Sequence, residues 1–176
     1  EYLNINNNDN ISVDGNNDNI NIDYLILNAG IGPTSDKSAT KDGFDKIFQA
    51  NYLGHWYFTN LLLNNIKDTS IKRYNEFGNK YGKPTRIISV SSGAHSSAYI
   101  PVNNSSQFDD MAHNKCSYGQ SKLLQILHMK QLQNILNNTN HFGDKIQCVS
   151  VTPGMVNTPI ISKFVTNKLK FYLLSP

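Results

Sequence analysis

Three short apolar runs stand out along a chain that is otherwise polar. The first lies in residues 23–30, DYLILNAG, and closes on Asn-Ala-Gly. The second is residues 85–91, within TRIISVSS. The third lies in IQCVSVTPG, from residue 146, and ends at Pro153 and Gly154. Runs this short, followed by turn residues, fit buried strands of a parallel sheet better than helices. Between them the period changes. In FDKIFQANYLGHWYFTNLLL, residues 44–63, the side chains of Phe44, Ile47, Phe48, His55, Phe58 and Leu62 fall on one stripe at helical spacing. The stretch before it, GPTSDKSATKDG, is loop chemistry, with Ser38 or Thr40 as a helix cap. A second helix is predicted from about Ser117 to Leu136, apolar nearly all round. Residues 64–84 read as polar and irregular, and residues 93–114 as a long loop. A loop with Gly143 precedes the third run. The stretch from Thr158 is poorly patterned for a helix.

The order is therefore strand, helix, strand, helix, strand, with each strand apolar on both faces. That predicts an α/β fold built on a parallel sheet with crossover helices. Ligands in such sheets bind at the carboxyl ends of the strands. Small and polar residues collect there: Asn28-Ala29-Gly30 after the first run, Ser91-Ser92 after the second, Pro153-Gly154 after the third.

Composition changes the picture at the N-terminal end. Residues 1–22 are dominated by Asn and Asp and cannot bury enough apolar surface to offset ordering entropy, so most of them are expected to be disordered. They depress the hydrophobic fraction of the 176-residue chain to 39%. The remainder, residues 23–176, is sized for one domain. The net charge of +3 comes from scattered lysines, which gives nucleic-acid binding no support. No apolar run approaches the roughly 18 residues that span a bilayer, and no signal peptide is visible. Cys116 and Cys148 have no metal-ligand spacing and suggest reduced thiols in an intracellular setting. His55, His95, His113, His128 and His141 likewise show no metal spacing and read as structural or solvated.

Candidate chemistry begins with two residues four apart in SYGQSKLLQIL. Tyr118 and Lys122 share a helix face, so their side chains meet. Chance alone supplies about 0.7 such Tyr-x-x-x-Lys matches in a chain of this composition, so the pair by itself has little weight. One reading is an exposed tyrosine and a solvated lysine. The other is a partly buried ammonium that lowers the phenol's pKa and makes Tyr118 a proton donor. Asn51 falls mid-stripe, about 20° from Phe44 on a helical wheel. It is either a core amide bonded to neighbouring backbone, or an amide that props open the helix and holds a water near a site. Ser92 follows a buried strand and is placed to donate to a carbonyl oxygen. It lacks a Gly-x-Ser-x-Gly setting, which argues against a hydrolase.

Five segments in order, LNAG at 27–30, NYLG at 51–54, ISVSS at 88–92, YGQSK at 118–122 and PGMVNT at 153–158, resemble the short-chain dehydrogenase/reductase family. The resemblance covers about residues 23–160. TKDGFDKIFQANYLGHWYFTNLLL and VSSGAH are most similar to its retinol dehydrogenase and WW-domain oxidoreductase branch, as is the long loop between Ser92 and Tyr118. The resemblance implies a Rossmann-like, doubly wound sheet and an NAD(P)-dependent interconversion of an alcohol and a carbonyl, with a retinoid, a steroid or another lipophilic molecule as the candidate substrate. It implies that Tyr118 is the acid/base, that Lys122 tunes it and binds the nicotinamide ribose, that Ser92 holds the substrate oxygen and that Asn51 keeps a relay water. Asn28, Ala29, Gly30, Pro153, Gly154, Val156 and Thr158 would line the cofactor cleft, with NADP favoured over NAD. A homodimer through the Tyr118 helix is a further family expectation, and attachment to a membrane is left open.

The chain departs from the family in one respect. The family opens with a glycine-rich turn that receives the pyrophosphate at a helix N-terminus, and no such turn occurs here; DGNN is not one. The chain reads as the middle-to-late part of such an enzyme, a partial Rossmann-like domain without its N-terminal strands, and weak cofactor binding is expected of it. Two other readings stay open: a non-catalytic truncated relative that serves as an interaction module, and an epimerase or dehydratase of the related extended family. PGMVNT and NAG favour the oxidoreductase.

Overall fold

The computed structural model describes residues 20–36, 38–81, 83–139 and 142–154. Three parallel strands form one sheet in the order β1 (Tyr24–Leu27), β2 (Thr85–Val90), β3 (Ile146–Val151). Leu25 is level with Ile87 and Cys148, and Leu27 with Ser89 and Ser150. Helices α1 (Lys46–Phe48) and α2 (Gly54–Tyr81), joined by a π-turn (Gln49–Leu53), cross from β1 to β2. Helix α4 (Tyr118–Asn138) crosses from β2 to β3. The connection between β2 and α4 holds a 3-10 turn (Gly93–Ser97), a short helix α3 (Ser105–Asp110) and a second π-turn (Met111–Lys115).

The core lies on one face of the sheet. Leu25, Leu27, Ile87 and Ile146 pack against Ile66 of α2 and Met129, Leu132 and Leu136 of α4. A second cluster, Phe48, Ile100, Met111, Ala112, Cys116 and Leu124, sits under the β2–α4 connection. The opposite face of the sheet is not covered among the described residues: Tyr24, Ile26 and Val151 are all at least 42% exposed. The expectation of strands buried on both faces is therefore corrected. Two successive crossovers that advance in the same direction across a parallel sheet place both helices on the same side.

Five features differ from the sequence reading. The helix does not end near residue 63 but runs to Tyr81, interrupted only by Gly78 in a left-handed conformation (φ 65°). Its polar stretch still has a buried side: Ile66 is fully buried, and Thr69 is nearly so and accepts the Ile22 N–H at 2.9 Å. The N-cap of α1 is Asp45, which accepts from the N–H groups of Ile47 and Phe48; Thr40 instead accepts from Phe44, and Ser38 bonds Asp36. The long loop after Gly93 is largely helical turns. The fourth difference is the apolar stripe. Phe58 is 48% exposed whereas Thr59 is buried. Asn51, His55 and Thr59 are spaced by four, so Thr59 stays on the face that His55 turns inward and Phe58 stands off its edge. The inward stripe becomes Asn51, His55, Thr59, Ile66. Helix α4 begins one residue later than expected because Ser117 caps it, in a capping box with Gln120. Val156, Thr158 and the stretch after them lie outside the described residues.

Candidate active site

The site forms where β1 and β2 end and α4 begins. Ser92 ends the strand segment and caps the 3-10 turn by accepting the Ala94 N–H at 3.3 Å. Its hydroxyl hydrogen-bonds the Tyr118 phenol from the first turn of α4. Gly119 permits this approach, because a Cβ there would stand 2.6 Å from the Ala94 carbonyl oxygen. One turn further on, Lys122 is 4% exposed. Its Nζ lies 5.4 Å from the centre of the Tyr118 ring and donates to the Val90 carbonyl at 2.9 Å. Ser91 fixes the lysine's own backbone by donating to the Lys122 carbonyl at 3.0 Å.

Asn51 stands behind this pair and is fully buried in the π-turn. Its Oδ1 accepts from the Ile31 N–H at 2.8 Å. Its Nδ2 donates to the Ile31 carbonyl and to Ser121 Oγ, each at 3.0 Å. Ser121 in turn donates to the Tyr118 carbonyl at 2.8 Å. One side chain therefore pins the loop after β1 to the helix that carries the tyrosine. Gly30 lies against both groups: a Cβ there would come 3.1 Å from Asn51 Oδ1 and 3.7 Å from Lys122 Nζ. Only a residue without a side chain leaves that floor open.

Burial governs the electrostatics. It pushes the Lys122 ammonium down to about 8. It pushes the Tyr118 phenol up, and the Ser92 hydrogen bond offsets only part of that. The sequence expectation was the reverse for Tyr118, a phenol lowered by its lysine. The difference arises because the ammonium is turned onto Val90 and the phenol is removed from water. His55 is nearly buried; burial lowers its pKa, and the positive charge of Lys122 lowers it further.

The structure thus brings Gly30, Asn51, Ser92, Tyr118 and Lys122 to one edge. Asn28 and Ala29 are exposed beside Gly30 at the end of β1, and Pro153 and Gly154 are exposed after β3 at the same edge. Two hydroxyls, of Ser92 and Tyr118, are paired at a position suited to one carbonyl or alcohol oxygen. The small, exposed residues 28–30 beside Lys122 fit the nicotinamide-ribose end of a dinucleotide; no glycine-rich turn for the phosphates occurs among the described residues. Sequence reasoning passed over Ser121 and Gln125. Gln125 is 2% exposed and donates to the Asn51 carbonyl at 2.7 Å. The one available signal was a glutamine interrupting LLQIL.

Comparison with known proteins agrees with this fold. Residues 16–169 match the family model for short chain dehydrogenase. The chain is 34% identical over 141 residues to polyprenol dehydrogenase of Homo sapiens, spanning 77% of this chain and 37% of that protein. It is 32% identical over 139 residues to retinol dehydrogenase 13 of Homo sapiens, spanning 79% and 36%. The chain thus spans well under half the length of these relatives. A crystal structure from Mycobacterium Paratuberculosis superposes with a TM-score of 0.57 at 27% identity, over 89% of this chain and 51% of the other. The 3-ketoacyl-(acyl-carrier-protein) reductase from Brucella melitensis, complexed with NADH, shares the fold at 22% identity and a TM-score of 0.54, over 89% and 61%. No helix among the described residues is long and apolar enough to cross a membrane. With the matched family model spanning most of its length, the chain belongs to the short-chain dehydrogenase family.

Proposed function

We propose that residues 23–176 carry the catalytic part of an oxidoreductase that interconverts an alcohol and a carbonyl with NADP or NAD. The observation that carries this reading is the hydrogen-bonded pair Ser92–Tyr118 with the buried ammonium of Lys122 beside the phenol. A bound nicotinamide would supply the hydride. Ser92 holds the substrate oxygen by its hydroxyl. In reduction, Tyr118 gives its phenolic proton to that oxygen as the carbonyl carbon is reduced; in oxidation, the phenolate takes the alcohol proton. A phenol pushed up by burial stays protonated at neutral pH, which suits the reductive direction. Lys122 holds positive charge beside the oxygen that loses its proton, and Asn51 ties the β1 loop to α4 so that this geometry is kept. Asn28, Ala29 and Gly30, with Pro153 and Gly154, line the cofactor side; Val156 and Thr158, outside the described residues, are assigned to it by the family resemblance. The names of the relatives, polyprenol and retinol dehydrogenases, support a lipophilic alcohol or aldehyde as substrate.

The test is reduction of a lipophilic aldehyde with NADPH and, separately, with NADH, each raised to millimolar concentration so that weak binding does not hide turnover. Tyr118→Phe is expected to lower the rate by about 10² or more while leaving the circular dichroism unchanged. A Tyr118→Phe variant as active as wild type overturns the assignment. A folded wild-type protein that reduces no carbonyl with either cofactor points to the non-catalytic relative.

A further inference from the structure

Gln125 is an expensive residue for a helix core. It lies among Leu123, Leu124, Ile126 and Leu127, and its Oε1 is buried with no hydrogen-bond partner among the described residues. A buried, unsatisfied carbonyl is unfavourable, and an apolar side chain of similar length would avoid that cost. A role in packing alone does not account for a glutamine here.

Its amide nitrogen supplies the account. Nε2 donates to the Asn51 carbonyl at 2.7 Å and lies 3.2 Å from His55 Nδ1. Two hydrogens on one nitrogen serve two acceptors, which leaves the His55 proton on Nε2. Turning the amide over would set Oε1 against the Asn51 carbonyl, so its orientation is fixed. The carbonyl it holds belongs to the π-turn, where the wider winding tips carbonyls away from the helix axis. The same turn carries the Asn51 side chain, whose Oδ1 faces the Gly30 floor that Lys122 Nζ also borders. His55, one turn on, carries the other acceptor.

We infer that Gln125 is a positioning residue: it clamps the π-turn through the Asn51 carbonyl and His55, and so holds Asn51 against Ser121 and Ile31 beside the catalytic lysine. It touches neither substrate nor cofactor and acts through Asn51. This inference rests on the oxidoreductase reading for its effect on turnover, but not for its effect on the lysine.

Gln125→Met keeps the length and removes the donor. With lysine labelled at the ε-carbon, and the Lys122 resonance identified by its loss in Lys122→Met, magnetic resonance reads the lysine titration directly. Loosening Asn51 admits water to the ammonium, so the midpoint is expected to rise by about one pH unit or more in Gln125→Met. Turnover is expected to fall about tenfold with little change in the KM for cofactor. A midpoint and a turnover both within error of wild type overturn the inference. If Gln125→Met does not fold, His55→Leu removes only the far acceptor and is expected to move the midpoint the same way by less; no movement there overturns the inference equally. If wild type reduces no carbonyl, the functional reading fails while the lysine titration still decides this one.

Discussion

Lys122→Met is expected to make the protein more stable at neutral pH while abolishing turnover. The ammonium is 4% exposed, and its described hydrogen bond is to the Val90 carbonyl at 2.9 Å. An ordinary lysine titrates near about 10.4, and burial brings this one to about 8. The gap corresponds to a penalty of about 3 kcal/mol for folding with the charge in place. The unfolded chain binds the proton more readily than the folded one between those two values. The penalty is therefore complete below about pH 8, shrinks as pH rises, and is gone above about 10.4. Methionine has similar length and no charge. It removes the penalty but leaves the Val90 carbonyl without a donor, at a cost of about 1 kcal/mol. The net expectation is a gain of about 1–2 kcal/mol at about pH 7, turning into a loss of about 1 kcal/mol near pH 10.5. Urea unfolding of both proteins at the two pH values measures it, and the difference between them cancels the other titrating groups. A variant less stable than wild type at neutral pH, or a difference that does not change with pH, refutes the reasoning.

Other expectations follow from the same geometry. Gly30→Ala should lower turnover about tenfold or more, since its Cβ would crowd Asn51 Oδ1 and Lys122 Nζ; unchanged kinetics would show that the floor yields. Alcohol oxidation should accelerate with rising pH while carbonyl reduction does not, because burial keeps the Tyr118 phenol protonated; parallel rate profiles in the two directions would contradict this. Cys116 and Cys148 are both free, and burial pushes both thiols up to about 12, so neither should react with a maleimide at pH 7 until the protein is unfolded. Calorimetric titration of the chain with NADPH should give weak binding or none, since the described residues hold no glycine-rich phosphate turn; a submicromolar Kd would show a grip located elsewhere.

Local signals made most of the frame legible. The three strands were marked by apolar runs and turn residues, and Ser117-x-x-Gln120 announced the start of α4. The length of α2 was hidden because its second half is polar on the surface and owes its helicity to a few inward positions, Ile66, Thr69 and Ser70. The exposed face of the sheet was hidden because Tyr24 and Ile26 look like core residues in any sequence window. The site was legible in its outer members, Tyr118, Lys122 and Ser92. Asn51 stood out as an amide on an apolar stripe, but the rest of the inner scaffold did not. Ser121 and Gln125 gain meaning only when α4 lies against the π-turn, and that turn leaves no signature in the spacing of apolar residues.

The π-turn also decides what can change at this helix independently. Its wider winding takes up a residue between Gln49 and Leu53 locally, so deleting one position there would restore regular winding and leave Ile66 and Thr69 on the core. The same deletion would withdraw the amide of Asn51 from Ile31 and Ser121. The helix would keep its packing while the cleft lost its rear wall, so this one turn serves the chemistry and not the stability of the fold.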